Sequence, residues 1–259
     1  MIAAYLRYLW RAGNLHGLHS PFVYALYRDI IRHRHPAPLG TSSVEALRQS
    51  LLHSKQTLTV TDLGAGSRRS GSNVRAISTI ARNAQKPARY AWLLHRLVLH
   101  FNAKYVLELG TSLGLTTAYM ANAVAQTSGE LYSFEGCPNT AALARTHLDQ
   151  LGYPDVRLVV GNLDDTLAET VAKLPQIDLA FFDANHRYEP TVQYFMTCLP
   201  YIHNDSLFIF DDIHWSEGME QAWESIKAHP AVQVTVDLFG VGLVFFRREQ
   251  PKQHFVLRF

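Results

Sequence analysis

The stretch YVLELGTSLGLTTAYMANAVA at residues 105–125, followed by LYSFE at 131–135, decides the fold. A short apolar run, a turn with two glycines, an apolar-periodic segment and a second apolar run read as strand, turn, helix, strand. The same alternation continues downstream. VRLVV (156–160), DLAFFD (178–183) and SLFIFD (206–211) read as further strands, and 139–151, 163–174 and 189–199 as the helices between them. Strands this apolar on both faces, joined by helix-length connections, predict a parallel sheet covered on both sides. After a helix around GMEQAWESIKAH (218–229) come VQVTVDLF (232–239) and VGLVFFRR (241–248), separated by Gly240 alone. That gap is too short for a crossover, so the last pair must be antiparallel. The expected fold is α/β: a doubly wound, mostly parallel seven-stranded sheet with an antiparallel C-terminal strand.

Upstream the texture differs. Residues 1–90 read as a mainly helical, basic appendage that serves as a lid or dimer element, and 91–259 as the α/β domain. A helix is expected from Pro21, with Ser20 as its N-cap and Pro36 and Pro38 closing the segment. Residues 1–100 hold 14 Lys/Arg against Asp29, Glu45 and Asp62, a charge of +11. Residues 101–259 hold 10 against 19, a charge of −9, so the total of +2 conceals two chemically different halves. At 259 residues, 47% hydrophobic and 18% charged, the chain is neither disordered nor fibrous.

Cys137 and Cys198 are the only cysteines and have no metal-ligand spacing, which points to a reducing cytosol and a cytoplasmic protein. The opening MIAAYLRYLW is apolar, but Arg7 and Arg11 break the run and no small-residue cleavage site follows, against a signal peptide. No apolar run approaches the roughly 20 residues of a membrane-spanning helix.

Two loops compete as a nucleotide site: Asp62-Leu63-Gly64-Ala65-Gly66 and Glu108-Leu109-Gly110-Thr111-Ser112-Leu113-Gly114. Glycines after a strand let the backbone turn tightly and approach a ligand at the next helix's N-terminus. The acid at the end of the following strand separates the two. Nucleoside-binding βαβ units place a carboxylate at the end of the second strand, where it accepts ribose hydroxyls. After Gly110 that residue is Glu135; after Asp62 no acid occurs until Glu108. The second loop is therefore the expected cofactor site. The first retains Arg68 and Arg69, which suit an anion or a cover over the site, or simply a solvated connection.

With SFEGCP, VVGN, FFDANHRY and FIFDDIHW in order after the second loop, the chain resembles the S-adenosylmethionine-dependent methyltransferases of the Rossmann-like class. It is closest to the catechol O-methyltransferase-like small-molecule enzymes, over about residues 90–247. The resemblance implies that Glu108, Gly110 and Gly114 surround the methionine part of the cofactor and that Thr111 and Ser112 meet its amino acid end. It further implies that Glu135 holds the ribose and that Asn162 and Leu163 lie near the adenine.

Asp183 closes one strand, and Asp211 with Asp212 closes another. The carboxyl ends of parallel strands form the binding edge, so the three acids should converge there. Clustered oxygen ligands suit Mg²⁺ or another divalent cation, although Asp212 equally suits a helix cap. The resemblance implies a metal bound here that holds the acceptor's oxygens, with Asp212 where the family usually has Asn. Asp183 doubles as a cofactor-side and catalytic residue. His186, where catechol O-methyltransferases carry a lysine base, is the expected general base, since an imidazole as such can take a proton near neutral pH; His214 is its rival, as base or ligand.

The function implied is O-methylation of a small hydroxylated molecule, assisted by a divalent metal. The alternatives are methylation of an anionic or nucleic-acid substrate drawn to the basic half, and a non-catalytic cofactor-binding protein. Nucleic acid is the weaker reading, because no nucleic-acid module is recognisable in residues 1–90. Tyr5, Trp10, Phe22, Tyr24 and Tyr27 would cover the site or pack the appendage against the sheet's helices or a second copy in a homodimer.

Overall fold

The computed structural model describes residues 2–32, 36–61, 73–84 and 86–259. The chain divides into two compact units, Met1–Arg34 with Val171–Phe259, and His35–Thr170. Within an eight-stranded sheet the strand order is β10-β8-β9-β7-β6 in the first unit and β3-β4-β5 in the second. Helix α1 (Ile2–Arg11) opens the chain. Helix α2 (Pro21–Leu26) begins on the expected signal, with the Ser20 hydroxyl accepting the Val23 N–H at 3.4 Å and proline in the first turn. It runs on into a π-helical turn at Tyr27–Ile31.

The unit His35–Thr170 starts with α3 (Ser42–Leu52), the strand pair β1 (Thr57–Thr59) and β2 (Val74–Ala76), α4 (Ile77–Ala84) and α5 (Ala88–His100). Strands β3 (Tyr105–Leu109), β4 (Glu130–Glu135) and β5 (Arg157–Val160) then alternate with α6 (Leu115–Thr127) and α7 (Pro138–Gln150). Helix α8 (Leu163–Val171) follows the last strand. Both ladders are parallel, placing Glu108 beside Ser133 and Glu135 beside Val160. Val106, Leu107 and Leu109 are fully buried, as expected of a strand covered on both faces. Gly129 permits the turn into β4, since a Cβ there would lie 2.5 Å from the Lys104 carbonyl oxygen. Helix α3 is tied to α6 by the Tyr119 hydroxyl, which donates to Glu45. Burial, reinforced by Glu45, pushes the Tyr119 pKa up to about 12.

Strands β1 and β2 pair antiparallel, with Thr59 opposite Val74 and the Val60 N–H on the Asn73 carbonyl at 2.7 Å. The first glycine-rich segment lies between these two strands in the chain. Its Gly64, Gly66, Arg68 and Arg69, and the roles expected of them, lie outside the described residues.

In the other unit, β6 (Ile177–Phe182), α9 (Tyr188–Cys198), β7 (Ile202–Asp211), α10 (Glu217–Ala228), β8 (Val234–Asp237), β9 (Val241–Phe245) and β10 (Gln253–Val256) follow in order. Strand β7 is parallel to β6 and antiparallel to β9, and β8 is antiparallel to β9, as the short gap at Gly240 required. The sheet differs from the expected seven strands by one. Strand β10 adds itself parallel to β8 at the edge. It is four residues long, and its sequence QHFV lacks the apolar run that marked the others. No helix among the described residues is long and apolar enough to cross a membrane.

Gly242 sits in fully buried β9 directly under Trp223 of α10; a Cβ would meet indole carbons at 2.6 and 2.7 Å. Overpacking of this kind costs about 1–3 kcal/mol. Gly242→Ala should therefore lower the urea midpoint by that equivalent, and an unchanged midpoint would mean that the indole has room to shift.

Candidate active site

In the unit His35–Thr170 the β3–α6 turn is built around two carboxylates. Glu108 is fully buried in β3, and its Oε2 accepts the hydroxyls of Thr117 and Ser133, each at 2.6 Å. Ser133 in turn is hydrogen-bonded to Thr111 at 2.6 Å, so Glu108 braces the loop from beneath. Backbone bonds complete the turn: the Gly110 and Thr111 N–H groups both reach the Phe134 carbonyl, at 3.0 and 2.9 Å. Gly110 and Gly114 have φ of +108° and +80°, which a side chain would strain, and Ser112 tolerates +50°.

Glu135 closes the arrangement. Its Oε2 accepts the Ser112 N–H at 2.8 Å and its Oε1 the Cys137 N–H at 2.9 Å, clamping the glycine turn to the start of α7. Each carboxylate oxygen keeps a second lone pair for a ligand hydroxyl. Burial raises its pKa above the ordinary value, against the pull of the Cys137, Ser112 and Gly136 N–H groups. Past β5, the Gly161 N–H meets the Glu135 carbonyl at 3.0 Å, and the Asn162 side chain accepts the Asp164 N–H at 3.3 Å at the head of α8. Leu163 is the first residue of that helix. The predicted set Gly110, Thr111, Ser112, Gly114 and Glu135 thus shares one turn, with Glu108 beneath it and Asn162 and Leu163 on the next connection. Sequence reasoning missed Ser133 and Thr117, and also His147, whose Nδ1 pairs with the Leu113 carbonyl at 2.9 Å. The available signal was Ser133 itself, a polar residue inside an apolar strand.

In the unit that holds β6 and β7, Asp183, His186 and Asp211 come together, each offering a ligand atom within 4.8 Å of the others. His186 Nε2 lies 3.4 Å from Asp183 Oδ1; both residues are half-buried and Asp211 is fully buried. Two features aim these groups. Asp183 and Asp211 stand at the carboxyl ends of β6 and β7, and Asn185 and Asp212 take left-handed conformations, φ +52° and +50°, in the loops that follow. Non-glycine residues held at positive φ concentrate at functional sites. The turn at Asp212 keeps it out of this three-residue group, to which His186 is the third contributor. Two carboxylates and an imidazole fit a divalent cation, and the nitrogen favours a transition metal more than an all-oxygen set would.

His214 is placed elsewhere. Its Nε2 is 2.8 Å from Asp237 and its Nδ1 3.3 Å from Glu220, so both ring nitrogens are engaged. Burial works against its charge, but Asp237 and Glu220 hold the pKa above the ordinary value. A raised folded-state pKa means stability that is complete below the unfolded value of about 6.5 and lost as pH rises through the folded one. Asp237→Asn should therefore destabilise the protein more at pH 5.5 than at pH 9; equal losses in thermal unfolding at both would contradict this pairing.

Residues 107–213 match a family model described as a methyltransferase domain. The segment is therefore similar to methyltransferase domains. Over 113 residues the chain is 32% identical to a catechol O-methyltransferase of Niastella koreensis, covering 43% of this chain and 50% of that protein. The chain thus spans about half the length of the curated relative it matches. Among solved structures, a methyltransferase of Podospora anserina bound to S-adenosylhomocysteine covers 91% of this chain and 99% of its own, at 14% identity and a TM-score of 0.62. An O-methyltransferase of tomaymycin synthesis from Streptomyces achromogenes, in complex with S-adenosylmethionine, covers 64% and 82%, at 22% identity and a TM-score of 0.55. At these identities the likeness is one of fold. The matched residues 107–213 include the glycine turn, Glu135, Asp183, His186 and Asp211.

Proposed function

We propose that the protein is an S-adenosylmethionine-dependent methyltransferase that methylates a hydroxyl group of a small molecule. The observation that carries this reading is the Glu135 clamp, a carboxylate at the end of the second strand that ties the glycine turn to the next helix. In the proposal its free lone pairs take the ribose hydroxyls, while the turn from Gly110 to Gly114 accommodates the methionine part. Asn162 and Leu163 border the adenine. Residues 91–259 act as the transferase domain and 1–90 as its appendage. The unpaired, buried Cys137 and Cys198 support a cytoplasmic setting.

His186 is the proposed general base. The carboxylate of Asp183 orients its ring and favours the imidazolium that forms when the acceptor hydroxyl gives up its proton. A divalent cation would be held by Asp183 and Asp211, with His186 as the alternative third ligand to Asp212, and would lower the pKa of the acceptor oxygen when bound. Sulfonium-to-oxygen transfer is intrinsically favourable, so the protein's main task is to align the acceptor and exclude water.

The test has two parts. Calorimetry with S-adenosylmethionine should show binding, and its absence would end the reading. Turnover on catechols and polyhydroxylated metabolites should then fall by more than about tenfold with chelator and return with Mg²⁺ or Mn²⁺. Turnover unmoved by chelator would remove the metal and leave the base.

A further inference from the structure

The structure contains a charged groove that the methyltransferase reading does not use. It has a volume of about 630 Å³ and lies entirely within the unit Met1–Arg34 with Val171–Phe259, between α1 and α10. One wall carries Arg7 and Arg11, four residues apart and so on one face of α1. The opposite wall carries Glu217, Glu220 and Glu224 at spacings of three and four on α10.

Opposite charges facing each other across a gap should close it with ion pairs. Here the crossing contact is a long one, Arg7 to Glu220 at 3.4 Å. Among the described residues Arg11 makes no ion pair, Glu217 meets the neutral amide of Gln221 at 3.5 Å, and Glu224 pairs with Lys227 of its own helix at 2.7 Å. The walls stay apart because each is anchored to something other than its charges. On α1 the Tyr8 hydroxyl donates to the Leu257 carbonyl at 2.6 Å and accepts the Phe259 N–H at 3.2 Å. The rings of Tyr5 and Tyr8 also pack on Phe239, at 4.9 and 5.2 Å. On α10, Met219, Trp223 and Ile226 are buried in the core. Between the walls, His214 is neutralised by Asp237 and Glu220 and leaves no net cation on the floor.

We propose that this groove binds a small zwitterion, its anionic group on Arg11 and Arg7 and its protonated amine on Glu217 and Glu224. A simple anion would gain the arginines and be repelled by three carboxylates; a simple cation would suffer the reverse. A molecule with both charges satisfies both walls, and the volume lies in the range of small-molecule sites. The proposal stands independently of the methyl-transfer reading, since it concerns binding alone.

Titrating the full-length protein with 6-aminohexanoate, hexanoate and hexylamine, followed by NMR shifts of α1 and α10 amides, tests it directly. The zwitterion should bind at least tenfold more tightly than either singly charged analogue. Arg11→Ala and Glu217→Gln, both at exposed positions, should each erase that preference without lowering the melting temperature. A groove preferring hexanoate or hexylamine, binding none of the three, or keeping its preference in both variants would overturn the proposal.

Discussion

Replacing Glu135 by alanine should abolish measurable binding of S-adenosylmethionine, lowering affinity by at least about 100-fold. Hydrogen bonds to a charged group contribute about 1.5–3 kcal/mol each, and the proposed ribose contact uses two. The substitution also removes the acceptor of the Ser112 and Cys137 N–H groups, so the glycine turn loses its tie to α7 as well as its ligand contact. Calorimetry on the folded variant would show the loss, and wild-type-like affinity would place the cofactor elsewhere. A pH effect accompanies it. Because burial raises the Glu135 pKa, binding should begin to fail at a pH above the ordinary 4.5 as the carboxylate protonates and stops accepting two hydroxyls.

How far the site was legible differs residue by residue. Strands β3, β6, β8 and β9 announced themselves as apolar runs because their burial leaves no polar face. Strand β10 did not, since an edge strand only partly covered needs no such run. The choice of Gly110 over Gly64 followed from the spacing to Glu135, and Gly64 itself lies outside the described residues. The Glu108–Ser133–Thr111 brace was invisible because its members meet across parallel neighbours, a matter of register more than of local pattern. Asp183 and Asp211 were readable as strand ends. That Asp212 turns aside while His186 joins them depends on backbone dihedrals at Asp212 and Asn185, which no residue count reveals. The position of α1 against α10 is likewise a tertiary fact, and residues 1–90 carried no motif that would disclose it.

The second large effect should come from His186. His186→Ala should reduce the methyl-transfer rate by about 10²- to 10⁴-fold, the usual contribution of a positioned base, while leaving S-adenosylmethionine affinity unchanged. The proposal gives cofactor affinity to Glu135 and proton transfer to His186, so kcat and cofactor binding should separate. Asp183→Asn tests the orientation of the ring: it keeps the size of the side chain but removes the charged partner of the imidazole, so the rate should fall. Added Mn²⁺ distinguishes the two roles open to His186. Loss of a base is indifferent to the metal, whereas a ligand's loss is partly recovered by excess metal. Recovery of His186→Ala by Mn²⁺ would assign the imidazole to the cation and leave the proton to water, because the remaining carboxylates of the group would then be ligands too weakly basic at neutral pH to take it.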